Sequence, residues 1–347
     1  MEDMNSSILL IYTGGTIGMK QDQETLALIP FNFDQIEAEV PELKKFGYKI
    51  DSYSFVPPID SSEISSSFWV ELAGIIADNY EKYDGFVILH GTDTMSYSAS
   101  ALSFMLGNLE KPVIFTGSQL PIGMLRTDGK ENLISSIEIA AAKDSKGRAM
   151  VPEVCVYFES KLYRGNRTTK DNAENFRAFR SPNYPHLAEA GIHIKYNKNY
   201  ISYPAEWGKK LILNTKLDTN VAILKIFPGI SPFVVESFLN IKGLRALIIE
   251  TYGSGNAPTL EWLISMLTDT IKKGIVVLNV SQCPAGSVNM ETYSTGILLK
   301  KIGVLSGLDS TTEAALTKLF FILGNNIDNH NITNIIIKNL RGEISID

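Results

Sequence analysis

Short, unbroken apolar runs alternate with helix-period segments through the first half of the chain, and this alternation constrains the fold most strongly. The runs with strand character are residues 8–12, 48–56, 86–90, 113–116 and 154–158. Between them, apolar side chains recur at intervals of three and four, as at Phe68, Leu72 and Ile75, which is typical of helices. Strands separated by helices require crossovers, so we predict a mostly parallel, doubly wound sheet covered on both faces.

The pattern changes after residue 191. Residues 192–220 are polar and tyrosine-rich, without a clear helical period, and strand-like runs resume at 221–227, 246–252 and 275–280. A chain of 347 residues with 44% hydrophobic side chains can fill two cores. We therefore predict an α/β protein with a flavodoxin- or Rossmann-like catalytic domain at 1–191, a linker at 192–220 and a smaller α/β domain at 221–347.

Composition excludes several classes of protein. Thirty-two basic side chains against 38 acidic ones give a formal net charge of −6, which disfavours binding to nucleic acid or to an anionic membrane. The two cysteines, Cys155 and Cys283, exclude a disulfide framework and a cysteine-rich metal site. The first residues lack the pattern of a secretory signal, and no apolar run is long enough to span a bilayer. We expect a cytoplasmic protein.

Ligands of parallel sheets bind at the carboxyl ends of the strands, so those ends are the places to search for chemistry. The first strand ends in Thr13-Gly14-Gly15-Thr16. A dinucleotide-binding loop is one interpretation, but Thr13 occupies the place of the first fingerprint glycine. The other is a threonine nucleophile, which requires a base and an oxyanion pocket nearby.

Acidic and hydroxyl side chains follow the next strands. Asp93, after Thr92, is either a helix N-cap or an acid that binds a substrate ammonium, with neighbouring amides available to an oxyanion. Asp60, Ser61 and Ser62 form either another helix cap or a cradle for a carboxylate.

Lys170 lies in a cationic run after the fifth strand, 163–170, which is ordinarily a solvated loop or a phosphate-binding patch. A lysine beside a threonine hydroxyl and an acid can instead deprotonate that hydroxyl. Thr92, Asp93 and Lys170 would then form a relay that resembles the serine–histidine–aspartate triad in its logic.

Taken together, the segments TGGTIGM, DSS, ILHGTDTM, TGSQLP and YRGNRTTK resemble those of the bacterial asparaginases, closest to the cytoplasmic, type I branch. The resemblance continues through YGSGNAP and SQCPAGSVNM to the closing NLRGE at 339–343. Any one motif is weak evidence, whereas all of them in this order and spacing are highly specific.

The resemblance implies hydrolysis of L-asparagine to L-aspartate and ammonia through a β-aspartyl-enzyme intermediate, without metal or organic cofactor. Thr16 matches the family's nucleophile, and Thr92, Asp93 and Lys170 match its second catalytic group. The turn from Asp60 to Ser62, with Ser61 between them, matches the one that holds the ends of the substrate. The family assembles as homodimers of intimate pairs and often as homotetramers, with each active site completed near a subunit boundary.

The chain departs from the family pattern at two places. The flap after the TGGT turn usually carries a tyrosine, but residues 19–30 contain none, and Leu28 falls about where it would lie. Some type I members bind a regulatory asparagine through an arginine, and here Glu250 stands in its place, although Ser281 and Cys283 of that site remain. Since an acid repels an α-carboxylate, we expect no such regulation.

Two other functions compete with this one. A tRNA-dependent amidotransferase subunit shares the catalytic domain but normally carries an amino-terminal extension, for which the turn at Thr13 leaves no room. A nucleotide-binding module would leave the combination of Thr92, Asp93 and Lys170 without a purpose. The preference between asparagine and glutamine stays open, because one methylene is discriminated by only about 1–3 kcal/mol.

Overall fold

The structure is a computed structural model, which describes residues 6–21, 28–30, 40–325 and 329–346. It divides into two compact units, Met1–Thr215 and Lys216–Asp347. The strands of the first unit are β1 Ser7–Tyr12, β2 Met19–Gln21, β3 Leu28–Pro30, β4 Lys49–Ser54, β5 Gly85–Leu89, β6 Leu106–Gly107, β7 Val113–Thr116, β8 Val154–Phe158, β9 Lys161–Arg164, β10 Thr169–Lys170, β11 Phe179–Arg180, β12 Ala188–Ala190, β13 Ile194–Tyr196 and β14 Ile212–Leu213. Its helices are α1 Ser66–Asp78, α2 Met95–Met105 and α3 Gly129–Ala141.

One sheet of the first unit has eight strands in the order β13-β12-β9-β8-β7-β5-β1-β4. The strands β4, β1, β5, β7 and β8 run parallel, and β9, β12 and β13 extend the sheet in antiparallel pairs. In chain order the parallel strands are arranged 2-1-3-4-5, the flavodoxin-like order, in which the crevice opens where β1 meets β5. The predicted fold class is confirmed.

The parallel strands are buried because helices cover the sheet. All five residues of β5 are buried, and so are five of the six residues of β1. Ile8 and Leu10 of β1 belong to a hydrophobic cluster with Leu133 and Ile137 of α3. This double coverage explains why these strands are continuous apolar runs in the sequence.

The segment 192–220, predicted as a linker, is not wholly a connection. Ile194–Tyr196 pairs with β12 at the edge of the large sheet, and Ile212–Leu213 pairs with β6. Strands of two or three residues with partly exposed side chains carry too little periodicity to stand out from loops. The first unit therefore extends to Thr215.

The strands of the second unit are β15 Val221–Lys225, β16 Ala246–Thr251, β17 Val276–Ser281 and β18 Leu305–Ser306. Its helices are α4 Pro232–Leu239, α5 Glu261–Lys272, α6 Ser294–Lys301, α7 Thr312–Gly324 and α8 Asn329–Ile336. The strands form a four-stranded parallel sheet in the order β15-β16-β17-β18. One hydrophobic cluster forms around α4, α5 and α6, and another around α7 and α8. No helix within the described residues combines the length and the apolarity that a membrane crossing requires.

Candidate active site

Three loops meet at the carboxyl ends of β1, β4 and β5, and glycines allow them to touch. A Cβ atom on Gly14 would lie 2.0 Å from the Ile59 carbonyl oxygen, and one on Gly15 would lie 2.6 Å from the Gly91 backbone. Gly91 approaches Ser61 as closely, since a Cβ there would lie 2.5 Å from its hydroxyl oxygen. The loops after the three strands therefore form one packed edge.

Thr16 begins a short 3₁₀ turn, Thr16–Gly18, directly after the glycine pair. Its side chain is half-buried. Gly14 and Gly15 have φ angles of 143° and 87°, and the left-handed φ of Gly15 is one that residues with side chains rarely adopt. The turn thus places a hydroxyl at the packed edge, one residue beyond the contact between Gly15 and Gly91.

Thr92, Asp93 and Lys170 are brought together by the fold. The Lys170 Nζ atom donates to the Thr92 hydroxyl over 2.8 Å and to the Asp93 Oδ1 atom over 2.6 Å. The Lys170 side chain is 20% exposed and that of Asp93 is 65% exposed. This arrangement can pass a proton between an amine and a hydroxyl while a carboxylate fixes the position of the amine.

A short antiparallel ladder holds Lys170 in place. Lys170 in β10 is opposite Phe179 in β11, and Phe179 is buried against Phe158 of the large sheet. The loop between β10 and β11 is fixed by the Gln119 side-chain amide, which donates to the Ala173 and Asn175 carbonyls over 3.2 and 3.0 Å. The catalytic candidate is therefore supported from both the strand and the following loop.

Asp60 acts as the N-cap of a 3₁₀ turn, Ser61–Glu63. Its Oδ1 atom accepts hydrogen bonds from the Ser62 backbone N–H over 2.8 Å and from the Ser62 hydroxyl over 2.9 Å. These two donors lower the pKa of Asp60 below its usual value. The Ser61 carbonyl accepts a hydrogen bond from the Thr94 hydroxyl over 2.6 Å, which ties this turn to the start of α2.

His90 is a contributor to the site that the sequence analysis missed. Its Nδ1 atom lies 2.7 Å from the Gly91 carbonyl oxygen and its Nε2 atom lies 2.9 Å from the Ser98 hydroxyl, which also accepts the Trp69 indole N–H over 2.9 Å. Because a carbonyl only accepts, Nδ1 carries the proton and Nε2 accepts from Ser98. Burial lowers the pKa of His90 to about 4, so the ring is neutral and fixes the backbone just before Thr92.

Only the spatial proximity of α1, α2 and β5 reveals this role. His90 follows β5, Ser98 lies on α2 and Trp69 lies on α1, and each one alone is an ordinary core residue.

The flap region is described in part. Residues 22–27 lie outside the described residues, and Leu28 begins β3, paired with Gln21 of β2. The only tyrosine adjoining the turn on its amino-terminal side is Tyr12, whose hydroxyl donates to the Gly18 carbonyl over 3.3 Å. Burial raises the pKa of Tyr12 to about 12, so this phenol stays protonated at neutral pH. It supports the turn as a hydrogen-bond donor and does not act there as a base.

The predicted regulatory residues lie in the second unit, at the carboxyl ends of β16 and β17. The Glu250 carboxylate accepts a hydrogen bond from the Thr312 hydroxyl over 2.8 Å. The Ser281 hydroxyl donates to the Gly253 carbonyl over 2.6 Å and accepts from the Cys283 backbone N–H over 2.9 Å. Thr312 therefore occupies one oxygen of the Glu250 carboxylate.

Among the described residues, no group of three or more histidine, cysteine, aspartate or glutamate side chains is arranged to hold a metal ion. The charged side chains of the candidate site are instead engaged by one another, as in Lys170 with Asp93, or by backbone and hydroxyl groups, as in Asp60.

Comparison with known proteins gives matches along nearly the whole chain. Residues 7–202 match the family described as asparaginase, N-terminal, and residues 220–336 match the glutaminase/asparaginase C-terminal domain. L-asparaginase 1 of Escherichia coli is 44% identical over 98% of each chain. The crystal structure of L-asparaginase I from Vibrio cholerae superposes with a TM-score of 0.89 and 39% identity, covering 99% of this chain and all of that one.

A relative with another name is also similar. A component of the glutamyl-tRNA(Gln) amidotransferase of Pyrococcus horikoshii is 33% identical over 97% of this chain, and the match covers 76% of that component.

Proposed function

Because the chain belongs to the asparaginase family, we propose that it hydrolyses L-asparagine to L-aspartate and ammonia. One geometric observation carries the proposal: the Lys170 amine lies between the Thr92 hydroxyl and the Asp93 carboxylate, at the sheet edge that also holds Thr16. The similarity to an L-asparaginase at 44% identity over almost the full length of both chains supports the choice of substrate.

In the proposed first step, the Thr16 hydroxyl oxygen attacks the side-chain amide carbon of the substrate. A tetrahedral intermediate forms, and its oxyanion accepts hydrogen bonds from backbone N–H groups that include that of Thr92. One such donor typically contributes a factor of about 10²–10³ to the rate. When the carbon–nitrogen bond breaks, the amide nitrogen takes up the hydroxyl proton and leaves as ammonia, and a β-aspartyl ester remains on Thr16.

In the second step, water hydrolyses the ester. Thr92 and Lys170 activate the water: its proton moves to the Thr92 oxygen while the Thr92 proton moves to the Lys170 amine, which must be neutral to receive it. The hydroxide adds to the ester carbon, the bond to the Thr16 oxygen breaks, and that oxygen takes the proton back from Lys170 through the Thr92 hydroxyl. Aspartate is released, and the enzyme returns to its starting state.

The ends of the substrate would be held by the loops around this centre. Asp60 and Asp93 supply carboxylates for the α-ammonium group, while the Ser61–Ser62 turn supplies backbone N–H and hydroxyl donors for the α-carboxylate. The depressed pKa of Asp60 keeps its carboxylate charged throughout the neutral range. These assignments require neither a metal ion nor an organic cofactor. We also infer that the enzyme is a cytoplasmic homodimer or homotetramer.

The alternative is an ammonia-generating component of a tRNA-dependent amidotransferase, which one relative favours at 33% identity. L-asparaginase 1 is 44% identical over a similar share of this chain. The higher identity to the asparaginase supports the free-standing hydrolase.

The experiment that tests the proposal measures ammonia release from L-asparagine and from L-glutamine by the purified protein, with Thr16→Ala in parallel and Thr16→Ser as the matched variant. We expect rapid release from asparagine, loss by orders of magnitude in Thr16→Ala and partial retention in Thr16→Ser. Thr92→Val should be similarly impaired. Activity of Thr16→Ala close to that of the parent would remove Thr16 from the mechanism, and no release from either amide would favour the amidotransferase.

A further inference from the structure

A cavity of about 270 Å³ lies at the amino-terminal edge of the large sheet, where no site has been assigned. Its wall includes Asp84, Glu110, Lys111, Lys143, Arg148 and Trp207. Asp84 precedes β5, whereas the loop with Thr92 follows it. At about 3.3 Å per residue, this strand places the cavity roughly 20 Å from the candidate active site.

Most charges in the wall are already paired. The Lys143 Nζ atom lies 2.9 Å from Asp84 Oδ1, and the Arg148 guanidinium lies 2.8 Å from the Asp144 carboxylate. The other oxygen of Asp84 accepts the Ser7 backbone N–H over 2.8 Å. These groups shape the cavity, but their charges are compensated.

Two adjacent residues of the wall, Glu110 and Lys111, are not part of such an ion pair. The Lys111 ammonium donates to the Tyr80 and Tyr83 backbone carbonyls, the latter over 2.8 Å, and one of its three N–H groups is not used in these bonds. Within the described part of the chain, no carboxylate oxygen lies within 4.0 Å of this ammonium. Burial lowers the pKa of Lys111, and the Glu81, Asp84 and Glu110 carboxylates, which lie beyond ion-pair distance, oppose this shift. The ammonium also lies 4.8 Å from the centroid of the Tyr80 ring.

Glu110 is the matching anion. Its Oε1 atom accepts the Lys209 backbone N–H over 2.9 Å, and no cationic nitrogen of the described residues lies within 4.0 Å of its carboxylate. The cavity wall therefore presents one cation and one anion that lack ion-pair partners. A simple anion bound at Lys111 would be repelled by Glu110, and a simple cation at Glu110 would be repelled by Lys111.

We propose that this cavity binds a small zwitterion, an α-amino acid, with its carboxylate at Lys111 and its ammonium at Glu110. The Trp207 ring, over which Arg148 stacks at 4.9 Å, offers an apolar wall to the amino-acid side chain. A ligand with both charges offers an ion-pair partner to Lys111 and to Glu110 at once. It also fits a cavity below the size range of sites for drug-sized molecules.

Trp207 provides the readout, with L-alanine as the probe because it lacks a side-chain amide that could be hydrolysed. Titration should quench or shift tryptophan fluorescence with saturation on the order of 1 mM, as expected for so small a ligand. The signal should vanish in Trp207→Phe, which leaves Trp69 and Trp262 in place. N-acetyl-L-alanine lacks the ammonium and L-alanine methyl ester lacks the carboxylate, so both should bind much more weakly.

Variants of the charged pair complete the test. Glu110→Gln keeps an acceptor for the Lys209 N–H but loses the charge, and it should weaken L-alanine binding by about ten-fold or more. Lys111→Met should do the same, with Lys195→Met on exposed β13 as the matched control. Because Lys111 binds two carbonyls and its loss affects stability, Glu110→Gln is the decisive variant. The proposal is overturned if L-alanine gives no saturable Trp207 signal, if Glu110→Gln binds it normally, or if N-acetyl-L-alanine binds equally well.

Discussion

At the scale of single residues, a substitution of Lys170 tests the proposed catalysis separately from the stability of the fold. Its contact with Asp93 is partly exposed, and exposed ion pairs contribute only about 0–1 kcal/mol to stability. We therefore expect Lys170→Met to abolish measurable turnover while the free energy of unfolding changes little. Steady-state ammonia release and urea unfolding measure the two effects, with Lys195→Met as a control that should alter neither.

The lowered pKa of buried His90 leads us to expect that the stability of the fold depends on pH. Its pKa is about 4 in the folded protein and about 6.5 when exposed, so above pH 6.5 the ring is neutral in both states. As the pH falls below 6.5, the unfolded chain gains a proton that the buried ring does not accept, and stability is lost until the pH reaches about 4. Between pH 7 and about 5.5 the loss should be about 1 kcal/mol.

Urea unfolding followed by Trp69 fluorescence measures this loss, because Trp69 shares Ser98 with His90. In His90→Gln, the difference in unfolding free energy between the two pH values should shrink by about that amount. An unchanged difference would assign the pH dependence to other groups.

Residue types in the sequence locate acids, hydroxyls and cations at strand ends, but they do not reveal partners. The sequence groups Lys170 with Thr92 and Asp93 because each follows a predicted strand. In the structure Lys170 follows the antiparallel strand β9, and it lies within hydrogen-bond distance of the other two. Their catalytic roles stay predictions. The neutral state of His90 could not be anticipated, since it depends on complete burial and on a serine eight residues away.

At the scale of elements, the loop after β1 depends on glycine. Gly15→Ala would introduce a Cβ atom 2.6 Å from the Gly91 backbone at a residue with a φ of 87°. We expect a loss of stability of about 1–3 kcal/mol and a larger relative loss of activity, because the displaced turn carries Thr16.

Gly74→Ala is the matched control. Gly74 lies inside α1, and a Cβ atom there would meet nothing within 4 Å. This variant should gain up to about 1 kcal/mol in unfolding free energy and keep normal ammonia release. Equal stability and activity of the two variants would show that the packed edge does not position Thr16.

The elements themselves were predicted unevenly. The long apolar strands were located to within about two residues, because burial on both faces leaves a continuous run that polar loops interrupt. The short strands β12 and β13 were missed, because strands of three residues are fixed by pairing with their neighbours and not by their own composition.

At the scale of the whole molecule, saturation with L-asparagine tests the second unit. Glu250 presents a carboxylate, held by Thr312, which would repel the α-carboxylate of a second L-asparagine molecule, so we expect hyperbolic kinetics. Initial rates over a wide concentration range measure this, and Glu250→Gln should behave alike. A clear sigmoid in the parent would show that an acid at this position permits cooperative regulation.

The change in sequence pattern indicates two units, but it does not locate the boundary between them. The polar composition of residues 192–220 indicated a connection, whereas the first unit continues to Thr215 because two short strands within that segment pair with its sheets. A polar composition indicates exposure to solvent, and exposed strands at the edge of a sheet can be as polar as loops.

The glycines at the packed edge also define where this enzyme can be re-engineered. Because Gly14, Gly15 and Gly91 touch neighbouring backbone or Ser61 without room for a methyl group, random libraries over these codons would consist almost entirely of inactive clones. A directed-evolution campaign for altered substrate preference should hold them constant and diversify positions such as Gln119, whose side chain reaches across to the loop beyond Lys170. Substrate preference could then be altered by changing side chains around the packed edge, while the backbone contacts of its glycines stay unchanged.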